Sequence, residues 1–150
     1  MEMVLFIGIP GSGKSTFYRE RFFDTHVRIN LDMLKTRHRE MTLIQACIAA
    51  RQPFVVDNTN VSTVERARYI PLARQVGYRV VGVYFRSNLA EALKRNQQRA
   101  GKALVPAQGV RARFNLLELP HVSEGFDQLY YVWIDPFTSR FNIEEWKDAD

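Results

Sequence analysis

The chain has 150 residues, of which 46% are hydrophobic and 25% charged, and its formal net charge is +5. These proportions exclude disordered and fibrous proteins, and no apolar run approaches the roughly 20 residues of a membrane-spanning helix. The length predicts one domain, 1–150. The single cysteine, Cys47, excludes an intramolecular disulfide and a cysteine-based zinc site. Because the N-terminus carries no basic leader, we expect no signal peptide and a cytoplasmic protein.

Apolar runs alternate with amphipathic segments along the chain. The pattern predicts strands at 3–8, 27–30, 53–57, 79–85 and 128–134, and helices at 14–22, 32–51, 63–76, 89–99 and 110–119. Ser62 is the expected N-cap of the helix at 63–76, and Gly77 its stop. The acidic tail at about 142–150 is expected to be a short helix or frayed. This alternation predicts an α/β fold with helices on both faces of a mainly parallel sheet.

The first strand–helix junction carries a glycine-rich motif. Residues 8–15 match the pattern G-x-x-x-x-G-K-[ST] in full. Glycines let backbone N–H groups converge on phosphate oxygens, and the following helix adds its positive dipole end. Lys14 should reach the β- and γ-phosphates of ATP, and Ser15 should hold Mg²⁺. The predicted nucleotide contacts in this motif are Gly8, Pro10, Gly11, Ser12, Gly13, Lys14, Ser15 and Thr16.

Polar side chains follow two predicted strands at the edge where such folds bind ligands. Asp32 could accept the proton of an acceptor hydroxyl, or it could cap the helix that opens there. Asp57 ends a buried strand beside the motif and could hold Mg²⁺. Asn58 and Asn60 could orient an acceptor or form an Asx turn. With no N-K-x-D run typical of a guanine-specific GTPase, these residues favour a small kinase and leave its acceptor open.

Two arginines precede a break in the predicted helix at 89–99. Arg95 and Arg99 lie four residues apart on one helix face and could stabilise the transferring phosphoryl group from a lid at about 91–106. A solvated charged face is the alternative, and for Lys102 it is the reading we favour.

Other basic residues could bind the acceptor. Arginine supplies 16 of the 21 basic residues, which suits a polyanionic partner. Lys35 and Arg39 follow Asp32 on roughly the same helix face. One of Arg66 and Arg68 could reach the acceptor side, and Arg68 is the one we expect at the surface.

Taken together, these motifs resemble the kinase domain of polynucleotide 5′-hydroxyl kinases of the phage and animal DNA-repair type. The resemblance covers roughly 3–135. It rests on GIPGSGKST at 8–16, NLD at 30–32, DNTN at 57–60, RARY at 66–69, RNQQR at 95–99 and SEGF at 123–126. It implies a P-loop kinase-like three-layer α/β/α fold with a small helical lid.

The resemblance also implies an activity. It implies an enzyme that transfers the γ-phosphate of ATP, with Mg²⁺, to the 5′-hydroxyl of DNA or RNA. Asp32 would be the general base, Lys14 and Ser15 the phosphate and Mg²⁺ ligands, and Arg99 the lid arginine at the γ-phosphate. The alternative is a P-loop kinase that phosphorylates a nucleoside, sugar or other metabolite hydroxyl.

The sequence departs from the family pattern on the acceptor side. Leu31 stands where the family usually has arginine, and Lys35 stands where some members grip the acceptor's phosphate with arginine. A lysine keeps the charge but loses the bidentate geometry. Because no D-x-D-x-T phosphatase motif is present, we expect any phosphatase or ligase to be a separate partner.

Overall fold

The computed structural model describes residues 1–101 and 104–147. In chain order the elements are β1 (Glu2–Ile7), α1 (Lys14–Arg21), β2 (Val27–Ile29), α2 (Leu31–Leu34), α3 (Arg37–Ala49), β3 (Phe54–Val56), α4 (Thr63–Arg66), α5 (Ile70–Gln75), β4 (Arg79–Phe85), α6 (Leu89–Gln97), α7 (Ala107–Leu116), β5 (Gln128–Ile134) and β6 (Phe141–Glu145), with a 3-10 turn at Val122–Glu124 before β5. Lys102 of the expected lid and residues 148–150 of the expected tail lie outside the described residues.

The six strands form one sheet in the order β2-β3-β1-β4-β5-β6. The first five are parallel, and β6 is antiparallel to β5. The predicted α/β fold with a mainly parallel sheet is therefore confirmed. Because parallel strands all end at one edge, the loops after β1, β2 and β3 lie side by side there.

The core lies on both faces of this sheet. Met3, Leu5 and Ile7 of β1 pack on one face with buried residues of α3 and α5. Val4 and Phe6 pack on the other face with the buried residues of α1. Because β1 is covered on both faces, its sequence is a continuous apolar run and does not alternate between apolar and polar residues. The three-layer α/β/α arrangement follows from this packing.

The predicted single helix at 32–51 is wrong, because the chain breaks it into α2 and α3. Lys35 has φ 76°, outside the helical region. The Thr36 hydroxyl accepts a hydrogen bond from the Arg39 N–H at 3.1 Å and so caps a new helix. A side chain that caps its own backbone offers an alternative to helix continuation, which periodicity alone does not register.

The predicted helix at 63–76 is also two helices, α4 and α5. Ser62 caps α4 as predicted, accepting from the Glu65 N–H at 3.1 Å, and Gly77, with φ 79°, follows the end of α5. Pro71 lies in the first turn of α5, where its missing N–H costs no hydrogen bond. The proline thus favours a helix start at this point and ends continuity with α4. The other predicted elements are confirmed, with ends displaced by a few residues.

The expectation of a helix or frayed tail after residue 142 is wrong for the described part of that segment, which forms β6. The Asp135 carboxylate accepts hydrogen bonds from the Phe137 and Thr138 N–H groups and shapes the turn into this strand. After the strand, the Trp146 indole donates to the Pro120 carbonyl at 3.0 Å. Tertiary contacts therefore order a segment whose acidic composition suggested otherwise. No helix among the described residues is long and apolar enough to cross a membrane.

The positive φ of Lys35 can be tested by measuring the free energy of unfolding of variants. Lys35→Gly should raise the free energy of unfolding by up to about 1 kcal/mol, because glycine adopts positive φ without the steric strain of a side chain. The matched Lys94→Gly, in the exposed interior of α6, should lower it by about 1 kcal/mol. Denaturant unfolding measures both, and equal losses would contradict the conformation at Lys35.

Candidate active site

A cleft of about 320 Å³ opens at the C-terminal edge of the sheet. It gathers side chains from segments that are far apart in sequence. Of the predicted site residues, those that line the cleft are Pro10, Lys14, Ser15, Asp32, Asp57, Asn58, Asn60 and Arg99. The structure therefore brings the glycine-rich loop, both candidate carboxylates and Arg99 to one place.

The glycine-rich loop needs its glycines for two different reasons. Gly11 and Gly13 have φ 86° and 101°, which side-chain-bearing residues rarely adopt. A Cβ on Gly11 would also lie 2.5 Å from the Ala92 carbonyl oxygen of α6. The loop thus packs directly against α6.

Lys14 is held inside this loop. Its ammonium donates to the Gly8 and Ile9 carbonyls, both at 2.9 Å. Burial lowers the pKa of Lys14 to about 8; Asp57 and Asp32 oppose this shift, and Arg99 adds to it. A cation that is desolvated in this way gains more from a phosphate partner than one in water does.

Asp57 and Ser15 share a partner, Arg28, that the sequence pattern did not indicate. The Arg28 Nε donates to Asp57 Oδ2 at 2.8 Å, and its Nη2 donates to Ser15 Oγ at 3.1 Å. The only sequence signal was a charged residue inside a short apolar strand. One carboxylate and one hydroxyl suit Mg²⁺, which typically takes few protein ligands and adds phosphate oxygens and water. Their donor set therefore fits the predicted metal.

Asp32 presents an exposed carboxylate to the cleft. The alternative role, capping the helix, belongs instead to Asn30, whose Oδ1 accepts from the Met33 N–H at 2.9 Å. Within residues 1–101 and 104–147, the Asp32 side chain makes no hydrogen bond or ion pair. A carboxylate without such partners can accept a proton or hydrogen bond from a bound molecule.

Asn58 and Asn60 line the cleft, but their amides hold the protein's own chain. Asn58 Oδ1 accepts from the Leu31 N–H at 2.9 Å, and its Nδ2 donates to buried Glu40 at 3.0 Å. Asn60 Nδ2 donates to the Phe6 carbonyl at 2.9 Å. Asn58 therefore fixes the backbone next to Asp32, which is a positioning role.

Three further arginines line the cleft: Arg37 and Arg113 were not predicted there, and Arg68 was the less favoured of two acceptor-side candidates. Arg37, Arg68 and Arg113 come from α3, the loop after α4, and α7. Arg113 Nη1 lies 2.7 Å from Glu65 Oε1, and Arg37 contacts Glu40 and Tyr69 at 2.9 and 2.8 Å. Periodicity could not place them, because two of them follow helix breaks that it did not predict.

Arg66, predicted on the acceptor side, is instead a structural residue. Its side chain is fully buried, its Nε and Nη2 donate to the Glu124 carboxylate at 2.8 and 3.1 Å, and its Nη1 donates to the Asn60 carbonyl at 2.9 Å. These contacts leave no guanidinium surface for an acceptor. The expected surface position of Arg68 is half right, since Arg68 is exposed but faces the cleft.

Two other basic residues predicted at the site lie outside the cleft lining. Lys35 is exposed on the break between α2 and α3. Arg95 Nη1 donates to the Gly11 carbonyl at 3.1 Å and so ties α6 to the glycine-rich loop. The remaining predicted contacts outside the lining belong to the loop and the start of α1: Gly8, Gly11, Ser12, Gly13 and Thr16.

Arg99 and Val105, from the segment predicted to form a lid at about 91–106, line the cleft, and so does Arg113 of α7. Arg99 follows α6, and burial lowers its pKa while Asp57 opposes that shift. The Asn96 side chain accepts from the Val105 N–H at 3.0 Å and donates to the Val105 carbonyl. This pair of hydrogen bonds ties the two ends of the segment that connects the helices.

Comparison with protein families gives a match to the model AAA_33, described as an AAA domain, over residues 3–118. A protein of Acanthamoeba polyphaga mimivirus, provisionally named a bifunctional polynucleotide phosphatase/kinase, is 28% identical over 97% of this chain. The bifunctional polynucleotide phosphatase/kinase of Schizosaccharomyces pombe is 25% identical over 96% of it. The chain spans 36% of the length of each of these relatives.

Solved structures share the fold. Chaetomium thermophilum Kti12 in complex with ADP-AlF3 superposes with a TM-score of 0.62 at 14% identity, covering 91% of each chain. A gluconokinase from Sinorhizobium meliloti gives 0.56 at 18% identity, covering 87% of this chain and 81% of its own. At these identities the likeness shows the fold alone, and it confirms the predicted P-loop kinase-like architecture.

The structural role of Arg66 can be tested at its partner. Glu124→Gln should lower the free energy of unfolding by about 3 kcal/mol or more, because it leaves a buried guanidinium without its counter-charge. The matched Glu118→Gln removes a charge from an exposed carboxylate that accepts from Thr63 and should cost under about 1 kcal/mol. Urea unfolding of both variants measures the difference, which would vanish if Arg66 faced solvent.

Proposed function

Because the chain belongs to the AAA domain family AAA_33 of P-loop proteins, we propose that it is a kinase that transfers the γ-phosphate of ATP to the 5′-hydroxyl of a nucleic acid. The family description names no reaction, and the two relatives named for polynucleotide phosphatase/kinase activity support this acceptor. The observation that carries the proposal is the cleft itself. It holds the exposed carboxylate of Asp32 together with Lys14, Ser15 and Arg99.

The P-loop side of the cleft fits the donor. Lys14 would leave its carbonyl partners to bind the β- and γ-phosphates, and Arg99 would contact the γ-phosphate from the lid. Ser15 and Asp57 would hold Mg²⁺, which when bound neutralises charge on the phosphate oxygens. Lys14 and Arg99 are already partly desolvated, so they stabilise the charge that develops on the transferring phosphoryl group more strongly than they would in water.

Asp32 fits the role of general base. Its carboxylate would accept the proton of the attacking hydroxyl and orient the oxygen toward the γ-phosphate. The Asn58 side chain and the Asn30 cap hold the backbone on either side of it. The neighbouring residues position Asp32 through its backbone and make no hydrogen bond to its carboxylate. The carboxylate can therefore bind the acceptor hydroxyl without first breaking an internal contact.

The arginines favour a phosphate-bearing acceptor over an uncharged alcohol. Arg37, Arg68 and Arg113 line the same cleft as Asp32. Planar guanidinium groups bind phosphate oxygens in pairs, and a strand carries a phosphate beyond its terminal nucleoside. In this proposal these arginines, and not Lys35, bind the phosphate of the acceptor, because the Lys35 side chain does not line the cleft.

The acceptor is tested by transfer from γ-labelled ATP with Mg²⁺ to DNA and RNA oligonucleotides. Strands with a 5′-hydroxyl should be labelled, and the same strands already 5′-phosphorylated should not be. Asp32→Asn should lower the transfer rate by roughly 10²- to 10⁴-fold while ADP affinity is unchanged, because only the proton acceptor is lost. Lys14→Ala is the blank.

Two results would contradict this proposal. Label on a nucleoside or sugar but on no oligonucleotide would show a metabolite kinase. Full activity of Asp32→Asn would remove Asp32 as the base.

Binding of the acceptor's phosphate by arginine predicts an effect on the KM for the oligonucleotide. Arg68→Ala should raise the KM for a 5′-hydroxyl oligonucleotide about tenfold, because it removes a charged hydrogen-bond donor to phosphate. The KM for ATP should not change. Arg111→Ala, an exposed arginine on α7 outside the cleft lining, removes the same charge and is the matched control. Equal effects of the two variants on the oligonucleotide KM would show general electrostatic attraction instead of a specific contact.

A further inference from the structure

Arg28 and Asp57 lie close together because of strand register. In the pairing of β2 with β3, Arg28 is opposite Val55, and Asp57 follows two residues later. Side chains two residues apart share a face of the sheet, and Val55 packs in the cluster that α1 covers. Ser15 lies in the first turn of α1, above the same face. The edge strand β2 therefore places the Arg28 guanidinium beside the two predicted Mg²⁺ ligands, Ser15 and Asp57.

The contacts of Arg28 use both of these ligands at once. Its Nε–H and Nη2–H occupy Asp57 Oδ2 and Ser15 Oγ at 2.8 and 3.1 Å. The Asp57 side chain is 2% exposed and that of Arg28 28% exposed. The guanidinium carbon also lies 5.9 Å from the centre of the Tyr18 ring. A nearly buried carboxylate is thus neutralised by a cation that keeps a route to solvent.

We propose that Arg28 is a built-in counter-ion that occupies Ser15 and Asp57 before nucleotide binds, competes with Mg²⁺ for them and thereby sets the Mg²⁺ concentration that nucleotide binding requires. The inference rests on the Mg²⁺ site of the proposed function and not on the identity of the acceptor.

A buried carboxylate without a counter-charge is costly, so Asp57 needs a cation in every state of the site. The ion pair with Arg28 supplies that charge. A metal ion that takes the same oxygens must displace the guanidinium, and the free energy of breaking that pair is subtracted from the free energy of metal binding. Because Arg28 is on an edge strand and part-exposed, it can move toward water when it is displaced.

Removing the competitor should therefore lower the Mg²⁺ requirement. In Arg28→Met, the Mg²⁺ concentration at half-maximal ADP binding should fall about fivefold or more. Fivefold is the lower end of the change in affinity that one coupled binding event typically causes in another. Calorimetric titration of ADP at a series of Mg²⁺ concentrations measures it. Arg28→Lys keeps the charge but loses the two-pronged geometry and should give an intermediate midpoint.

Arg21→Met is the matched control. Arg21 is an exposed arginine at the end of α1, so its loss changes net charge equally and should leave the midpoint in place. An unchanged or higher midpoint in Arg28→Met would overturn the proposal, because Arg28 would then be neutral toward the metal or would help to assemble its site.

Two further measurements do not require a titration of ADP affinity. Mg²⁺ alone should raise the thermal unfolding midpoint of Arg28→Met more than that of the unsubstituted protein, since only in the variant has Asp57 lost its ion-pair partner. In the unsubstituted protein, the Nε–H NMR signal of Arg28 should shift on addition of Mg²⁺ with ADP and not with Mg²⁺-free ADP. This second measurement stands even where the variant does not fold, and an Arg28 signal that Mg²⁺ leaves unchanged would overturn the proposal.

The results separate this inference from the proposed function. ADP binding that is independent of Mg²⁺ in the unsubstituted protein would overturn both the Mg²⁺ site and the role of Arg28. Mg²⁺-dependent binding with an unchanged midpoint in Arg28→Met would overturn the role of Arg28 alone. Neither result depends on which acceptor is phosphorylated.

Discussion

The parallel pairing of β2, β3 and β1 continues past the ends of the strands, and the site depends on it. The Asp57 N–H donates to the Ile29 carbonyl at 2.7 Å, and the Gly8 N–H donates to the Thr59 carbonyl at 2.9 Å. Asn30 Nδ2 adds a side-chain hydrogen bond to the Asp57 carbonyl at 2.6 Å. These bonds hold three loops in register at one edge, so the glycine-rich loop, Asp32 and Asp57 meet.

Around this frame, charged side chains divide into those that hold the protein together and those that face the cleft. Glu40 is fully buried and accepts from Tyr69, Arg37 and Asn58. Arg66 is buried against Glu124. Such groups must be paired, because an isolated buried charge is too costly to keep. Asp32 is free of that requirement only because it is exposed, and the same exposure makes it available to a substrate.

The sequence predicted the sheet and the P-loop better than the helices and the acceptor side. Continuous apolar runs identified the strands because burial on both faces leaves little freedom in residue type. The helix at 32–51 was predicted as one because its apolar period survives the break, while a single Thr36 cap and the φ of Lys35 end it. That break changes which basic side chains follow Asp32 into the cleft, with Arg37 in place of Lys35.

Local sequence was sufficient where local chemistry sets the conformation. The glycines that bend the P-loop, the Ser62 cap and the position of Asp32 after a strand all act within a few residues. Only the tertiary structure decided which arginines are buried pairs, which line the cleft and which one contacts Ser15 and Asp57. The reason is that a guanidinium's role depends on the carboxylate it meets, and Glu124 lies 58 residues from Arg66, Asp57 29 residues from Arg28.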